Sequence, residues 1–506
     1  MLFCEVVDVS ERVAATRSRN AKVAIIADLL TRADPAEVDV LAHFLAGRLR
    51  QRRTGVGWRS LRGFPAAAEP SLGILEVDAA LQVLGELAGP GSQLTRQAGL
   101  AGLMGRATQE EQRFLGGLIV GETRQGALEG VLLQAIGQAY EVPSELVRRA
   151  AMFAGSVPAA ADAAAVGGAD ALARLRLRVG RPVLPMLASS APTVAEAMAK
   201  LGGGVPVAVE TKLDGIRIQV HKQGSEVGVY SRSLDDISIR MPEVRQAVAD
   251  LPCTTCVLDG EALAFGTAGQ PLPFQETAAR SASTAEPAGV ILSPFFFDAL
   301  EVNGADLVDS STSFRHEQLV RLVPDAQRVQ RMVTADPEAA EQFARARLAE
   351  GHEGVVIKDL AQPYQAGRRG AGWVKVKPVL TLDLVVLAVE RGSGRRRGWL
   401  SNIHLGAGDP ATGGFVMLGK TFKGMTDAML AWQTQRFEEL KTADDGWVVQ
   451  VRPEQVVEIA FDGLQRSSRY PGGVALRFAR VVRYRDDKSA ADADTIQTVR
   501  GLARWE

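Results

Sequence analysis

The period of the hydrophobic residues changes once along this 506-residue chain, and that change limits the fold more than any other feature. From residue 12 to about 150, apolar residues recur three and four apart, in stretches such as AKVAIIADLLTRA, EVDVLAHFLAGRL and EQRFLGGLIVGETRQGALEGVLLQAIGQAY. That spacing draws one apolar stripe along a helix, so this part of the chain is expected to pack helix on helix. Gly55, Gly57, Pro90 and Gly91 interrupt it. The alanine- and glycine-rich stretch at 154–175, AGSVPAAADAAAVGGADALARL, reads as a helical connector or linker. Beyond about residue 180 the period falls to two, in VAVETKL, IRIQVHK, EVGVYSRS, CVLDGEALAF, ILSPFFFDAL, GVVIKDL and WVKVKP, with helical pieces such as AAEQFARARLAE between them.

From residue 381 strands continue in LDLVVLAVERG, LSNIHLGAG, GFVMLGKTF, QVVEIAFDGL and LRFARVVRYR, around a single helix, TDAMLAWQTQRFEEL. Several short strands and one helix in this space suit a small barrel of the oligonucleotide-binding type. The expected fold class is therefore multidomain, α plus α/β plus β, divided at 1–175, 176–380 and 381–506. With 46% hydrophobic and 23% charged residues the composition is that of a globular protein. No apolar run reaches the length of a membrane span, and MLFCEVVDVSER lacks the basic flank of a secretory signal. A cytoplasmic protein is expected. A net charge of -1 excludes a uniformly basic nucleic-acid binder, so any such role must rest on local patches. Two patches qualify as candidate phosphate grips. RLRQRRTGVGWRSLR at 48–62 holds six arginines and no acid, and 466–488 holds seven basic residues against Asp486 and Asp487. Either could equally be a solvated face.

The segment VAVETKLDGIRIQVHK, 207–222, poses the chemical question. On a strand, Glu210, Lys212 and Asp214 share one face. Asp214-Gly215 is a tight-turn dipeptide, and the alternation that follows reads as the return strand of a hairpin. A lysine with an ordinary pKa of about 10.4 is charged and not nucleophilic at neutral pH. Nearby cations such as Arg217, Lys375 and Lys377 would favour loss of its proton. Asp214, Glu210, Glu261 of VLDGEALAF and Glu353 of GHEGVVIK would hold the proton on, unless a divalent cation drew their charge away. Magnesium favours such an oxygen-rich site. The set reads as a nucleotidyl-transfer centre; KLDGIR alone would be read as a surface salt bridge.

KLDGIR, followed in order by YSRSLDD, VLDGEALAF, FFFDALEVNG, HEGVVIK, GWVKVKP and LRFARVVRYRDDK, resembles the motif series of the ATP-dependent DNA ligases. The resemblance covers essentially the whole chain and is nearest to the actinobacterial B type. It implies a helical DNA-binding domain, a nucleotidyltransferase (adenylation) domain and a C-terminal OB-fold. It also implies nick sealing in DNA repair, replication or recombination, with ATP as co-substrate, Mg2+ as cofactor and nicked double-stranded DNA as partner. A monomer is expected. By this resemblance Lys212 is the nucleophile that takes AMP from ATP. Glu210, Arg217 and Arg232 contact the nucleotide, and Glu261 and Glu353 serve metal and sugar. Phe297 stacks on adenine, though alternation alone cannot choose it over Phe295 and Phe296. Arg369 (with Arg368 a competitor), Lys375 and Lys377 bind phosphate, and Asp214 belongs to the same nucleophile motif. Arg485, Asp487 and Lys488 match the last motif, which orients the leaving pyrophosphate. Gly55, Gly57, Arg59, Arg124 and Gly126 match places where the helical domain meets DNA, where glycines admit phosphates close to the backbone. Ordinary helix-capping glycines are the alternative there.

Cys253-Thr-Thr-Cys256 is a lone CxxC without a second pair, so it makes no structural zinc site and reads as incidental. An RNA ligase or mRNA-capping enzyme would share the lysine chemistry, but the helical N-terminal third speaks against both. A non-catalytic DNA-binding scaffold would have no need of Lys212, Glu261, Glu353, Lys375 and Lys377 together.

Overall fold

The computed structural model describes residues 1–503 except 52, 124, 126–127, 267–270, 273, 283–290, 367–368 and 394–395, and leaves the side chains of 128, 281–282 and 369–371 undescribed. The described residues up to Arg174 form helices, and the apolar stripes read from the sequence meet in one core. Phe3 lies at its centre, edge-on to Phe44 at 5.5 Å and 5.7 Å from Phe114. Helix ends fall where short polar or glycine residues satisfy the backbone. Ser18 and Thr108 accept from the first-turn amides of their helices, and Gly121 closes one in the left-handed region. The 154–175 stretch is not a free linker. It forms a helix, Val157–Arg174, interrupted by non-helical backbone at Gly167 and Gly168, and its Ala160, Ala161, Ala164 and Leu172 are buried in the same core. Among the described residues no single helix is long and apolar enough to cross a membrane.

The middle region is built on two sheets. One runs β1 (Leu187–Ala191), β10 (Arg369–Val376), β9 (Gly354–Asp359), β2 (Val207–Lys212), β8 (Arg331–Thr334) in spatial order. The other runs β4 (Glu226–Ser231), β3 (Ile216–Gln223), β5 (Thr255–Ala264), β6 (Leu292–Val302), β7 (Ala305–Asp306). This corrects the expected hairpin at Asp214-Gly215. β2 does not pair with β3; it pairs with β8 and β9, while β3 pairs with β4 and β5. Leu213–Gly215 therefore carries the chain from one sheet to the other, and the strand that ends in Lys212 is buried over Val207–Thr211. A turn dipeptide specifies a change of direction but not the partner of the strand that follows.

The C-terminal region is a strongly bent sheet. β11 (Leu380–Arg391) pairs with β12 (Leu400–Asp409), β15 (Val448–Val451) and β16 (Val456–Phe461). β13 (Gly414–Thr421), β14 (Lys441–Asp444) and β19 (Arg480–Tyr484) extend it, and β17 (Gly463–Arg466) with β18 (Val474–Arg477) forms a separate ribbon. The helix Asp427–Glu439 plugs the barrel with Leu430 and Phe437, both wholly buried. This is the OB-fold arrangement expected from the strand and helix series.

Candidate active site

β2 and β3 deliver their side chains to a cleft between the two sheets because the Leu213–Gly215 crossing leaves their ends side by side. The crossing needs glycine: a Cβ on Gly215 would collide with the carbonyl oxygen of Ala262 and come within 2.9 Å of Glu261 Cγ. Gly354 stands opposite Lys212 in the β2/β9 register, with φ +148°, and a Cβ there would collide with the Val376 carbonyl oxygen. The cleft holds a cavity of about 490 Å³ lined by Glu210, Lys212, Arg217, Arg232, Glu261, Phe297 and Lys375. Seven of the residues read from the sequence thus converge on one space, although they come from positions 210 to 375. That volume is ample for a nucleotide.

The electrostatics of the cavity follow from who pairs with whom. Lys212 Nζ is bonded to Glu353, which also accepts from Lys377 at 3.0 Å. Burial raises the Glu353 carboxyl, but the two lysines outweigh it and hold it below its ordinary range. Burial pushes the Glu261 carboxyl up to about 7, against the opposing pull of Arg217 and Lys212. Lys375 is lowered by burial and by Lys212 and Lys377 beside it. Arg217 is clamped from behind by Asp259 at 2.9 Å, which also accepts the Tyr364 hydroxyl at 2.6 Å, and its guanidinium lies 4.6 Å over the Phe297 ring. Phe296, the neighbour facing the other way, is fully buried in the core behind the second sheet.

Two residues that hold Glu210 went unassigned in the sequence, Lys358 in the cavity wall and Arg331 outside it. Lys358, only 2% exposed, donates to Glu210 at 2.5 Å and lies 4.8 Å over Phe297 and 4.3 Å over Trp373. Burial lowers its pKa against the pull of Glu210. Arg331 holds the other oxygen of Glu210 at 3.1 Å, so this carboxylate is fixed and fully paired. The available signal was a lysine inside the otherwise apolar strand GVVIK, since an interior ammonium demands a partner.

Other predicted residues lie elsewhere. Asp214 turns away from the cavity and pairs with Arg477 of the barrel at 2.9 Å. Lys377 and Glu353 line a second, smaller cavity between the two regions, and Lys377 bridges to Asp462 of the barrel, which Arg480 also holds at 3.1 Å. Arg485 pairs with Asp383 and Asp487, and Lys488 with Asp383 at 2.6 Å; none of the last three motif residues lines either cavity. Gly55 has φ +70°, whereas Gly57 has ordinary extended backbone with open space around it. Arg59 and Arg62 lie 5.6 and 4.9 Å over the exposed ring of Trp58. Arg124 and Gly126, and the side chain of Arg369, lie outside the described residues.

A magnesium ion fits the donor set. Glu261 and Glu353 offer hard oxygens near Lys212. Among the described residues no group of three or more His, Cys, Asp and Glu could hold a metal. Two carboxylates, with substrate phosphates and water supplying the rest, is how Mg2+ is commonly held.

Family models described as the ATP dependent DNA ligase domain and the ATP dependent DNA ligase C terminal region match residues 185–377 and 396–488. A protein named "Probable DNA ligase" from Nocardioides sp. is 61% identical over 99% of both chains. One of the same name from Kineococcus radiotolerans is 60% identical over 100% of both. The solved structure Pmar-Lig_PreS3 superposes with a TM-score of 0.63 at 18% identity, covering 95% of this chain and 99% of the other, which shows a shared fold.

Proposed function

Because the chain belongs to the ATP-dependent DNA ligases, enzymes that use ATP and join DNA through an adenylate intermediate, we propose that Lys212 is the residue that becomes adenylated and that the cavity around it is the nucleotide site. The observation that carries this is the convergence of Lys212, Arg217, Glu261, Phe297 and Lys375 on one cleft of nucleotide size. Phe297 offers adenine a ring face, and Glu210, locked between Lys358 and Arg331, lies in the wall of the same cavity. Arg217 and Lys375 would face the phosphates, a contact in which Arg369 is expected to share, with Arg232 near the ribose.

In the substrate-free protein the Lys212 amine is engaged by the Glu353 carboxylate. Attack requires that this carboxylate be drawn off and the proton released. Glu261 and Glu353 would hold Mg2+, whose positive charge would compete for those carboxylate oxygens and favour departure of pyrophosphate. The Lys212 nitrogen then bonds to the α-phosphorus, and the bond to the β-phosphate oxygen breaks. AMP passes from Lys212 to the 5'-phosphate of a nicked duplex. The 3'-hydroxyl attacks that phosphate, and AMP leaves as the phosphodiester closes. For Arg485, Asp487 and Lys488 to meet the pyrophosphate, the barrel must turn a different face to the cleft from the one carrying Asp462 and Arg477. Gly55, Gly57 and Arg59 would track duplex backbone, together with Arg124 and Gly126. The enzyme acts as a monomer in the cytoplasm.

The test is incubation with α-labelled ATP and Mg2+ followed by denaturation. Label is expected to survive on the wild-type protein and to vanish in Lys212→Ala, while the variant still binds nicked DNA. Labelling by GTP instead would point to capping. No label with any nucleotide would end the proposal.

A further inference from the structure

Around Glu210 the structure buries one cation more than charge balance asks for. Lys358 and Arg331 hold the carboxylate together, one on each oxygen, at 2.5 and 3.1 Å, and all three side chains are buried. Asp298, the residue after Phe297, is taken by Arg315, which reaches both of its oxygens at 2.7 and 3.0 Å. Three buried cations thus share two buried carboxylates. Arg331 alone would neutralise Glu210, so the Lys358 ammonium is a charge whose burial costs free energy without being needed for balance. The Phe297 and Trp373 rings, 4.3 to 4.8 Å from Nζ, and the Phe297 carbonyl at 3.3 Å offset part of that cost. What Lys358 adds is a grip on the second oxygen. With a cation on each oxygen the carboxylate is fixed in rotation and keeps its charge, so it remains an acceptor. Glu210, Lys358 and Phe297 line the same cavity, and the ammonium that grips Glu210 also lies against the Phe297 ring, so this fixed acceptor stands close to the ring offered to the base.

We propose that Lys358 is a positioning residue for base selection: it holds the Glu210 carboxylate as an acceptor for the exocyclic amine of adenine, and thereby sets the preference for ATP over GTP. This rests on the reading of the cavity as the nucleotide site. The amine of adenine is a donor, whereas guanine carries a carbonyl oxygen in its place. Two acceptors then face each other, and a carboxylate held by two cations has no proton to lend. A site built to pair with a polar group rejects the analogue that lacks it more strongly than an apolar pocket does, because its own buried group is left unpaired. Without Lys358 the Arg331 contact holds one oxygen and leaves the other free to turn away or to take up a proton, and the distinction between the two purines weakens. Lys358 acts through Glu210 and need not touch the nucleotide.

The test follows formation of the protein–nucleotide adduct in single turnover with ATP, GTP and purine riboside triphosphate, which has hydrogen in place of the amine. The full-length wild type is compared with Lys358→Met, which keeps the length of the side chain without its charge, and with Lys358→Gln, which keeps a donor without the charge. Wild type is expected to favour ATP over the amine-free analogue by about tenfold or more in second-order rate constant, the worth of one hydrogen bond to a charged acceptor. Lys358→Met should lose about that factor with ATP, through a raised half-saturating concentration and a maximal rate little changed, and should lose almost nothing with the analogue, which has no amine to place. Its ATP-to-GTP ratio should fall as well, and Lys358→Gln should fall in between. A wild-type rate with the analogue also shows that a variant is folded, and the glutamine variant decides if the methionine variant is not. Equal losses with ATP and with the analogue, an unchanged ATP-to-GTP ratio, or a wild type that uses the analogue as readily as ATP would overturn the proposal. No adduct from wild type with ATP, or an adduct still formed by Lys212→Ala, is a different result: it removes the nucleotide-site reading, and this proposal with it.

Discussion

His221 lies behind the nucleotide site with both ring nitrogens committed: Nδ1 accepts from the Gly180 amide at 3.0 Å, and Nε2 faces the Gln219 side-chain oxygen at 3.0 Å. An amide aimed at Nδ1 leaves no place for a second proton, and burial pushes the imidazole from 6.5 to about 4 in spite of Asp259 nearby. The unfolded chain therefore takes up the proton first. The stabilisation is complete above pH 6.5 and is lost as pH falls toward 4. A shift of that size is on the order of 3 kcal/mol. His316, also pushed to about 4 by burial and then by Arg331, acts in the same direction, so a variant is needed to separate them. In urea titrations from pH 7 down to 4, the stability gap between wild type and His221→Gln should shrink as the medium becomes acid. A gap that stays constant would show that His221 does not titrate in this way. Lys358 makes a related point about what a sequence shows. The motifs led to Lys212, Glu210 and Phe297, but the ammonium that locks Glu210 under Phe297 was visible only as one charge in an apolar strand.

At the level of strands and turns, the glycines of KLDG and HEG do steric work on both sides of Lys212. Gly354→Ala would place a methyl against the Val376 carbonyl and 3.0 Å from the Lys377 Cα, at a φ of +148° that other residues rarely adopt. Backbone, not a flexible side chain, is in the way, so a loss of about 2 kcal/mol or more is expected. The substitution should lower the urea midpoint and reduce the yield of protein–AMP even at saturating ATP, because Glu353 is the adjacent residue. Unchanged stability would show that β10 can retreat. The helical region and the strand regions were legible because amphipathic periods are local properties. Strand pairing was not: β2 finds its neighbours β8 and β9 more than a hundred residues later, and nothing in VAVETKLDG names them. Several arginines of the two basic runs are engaged by acids that lie outside the runs, which the runs alone do not show: Arg48 pairs with Glu129, Arg50 with Asp78, Arg480 with Asp462 and Arg483 with Glu458.

Across the whole molecule, the barrel is held to the nucleotide-binding region by Arg477–Asp214 and by Lys377, whose ammonium is shared between Glu353 and Asp462. These contacts are partly open to water, so each is weak and sensitive to salt. Replacing Asp462 and Arg477 together by alanine should free the barrel: small-angle scattering should show a larger radius of gyration, and wild type in high salt should expand the same way. Identical scattering for both proteins at low salt would mean that other contacts hold the pose. The grip on Lys212 has a further consequence. An amine bared on the wall of an open cleft would be prey to acyl phosphates, aldehydes and reducing sugars. Tied to Glu353, its nitrogen is engaged by a carboxylate instead of being offered to them. On the role proposed for Lys212, this grip would shield the amine from stray metabolites before ATP arrives.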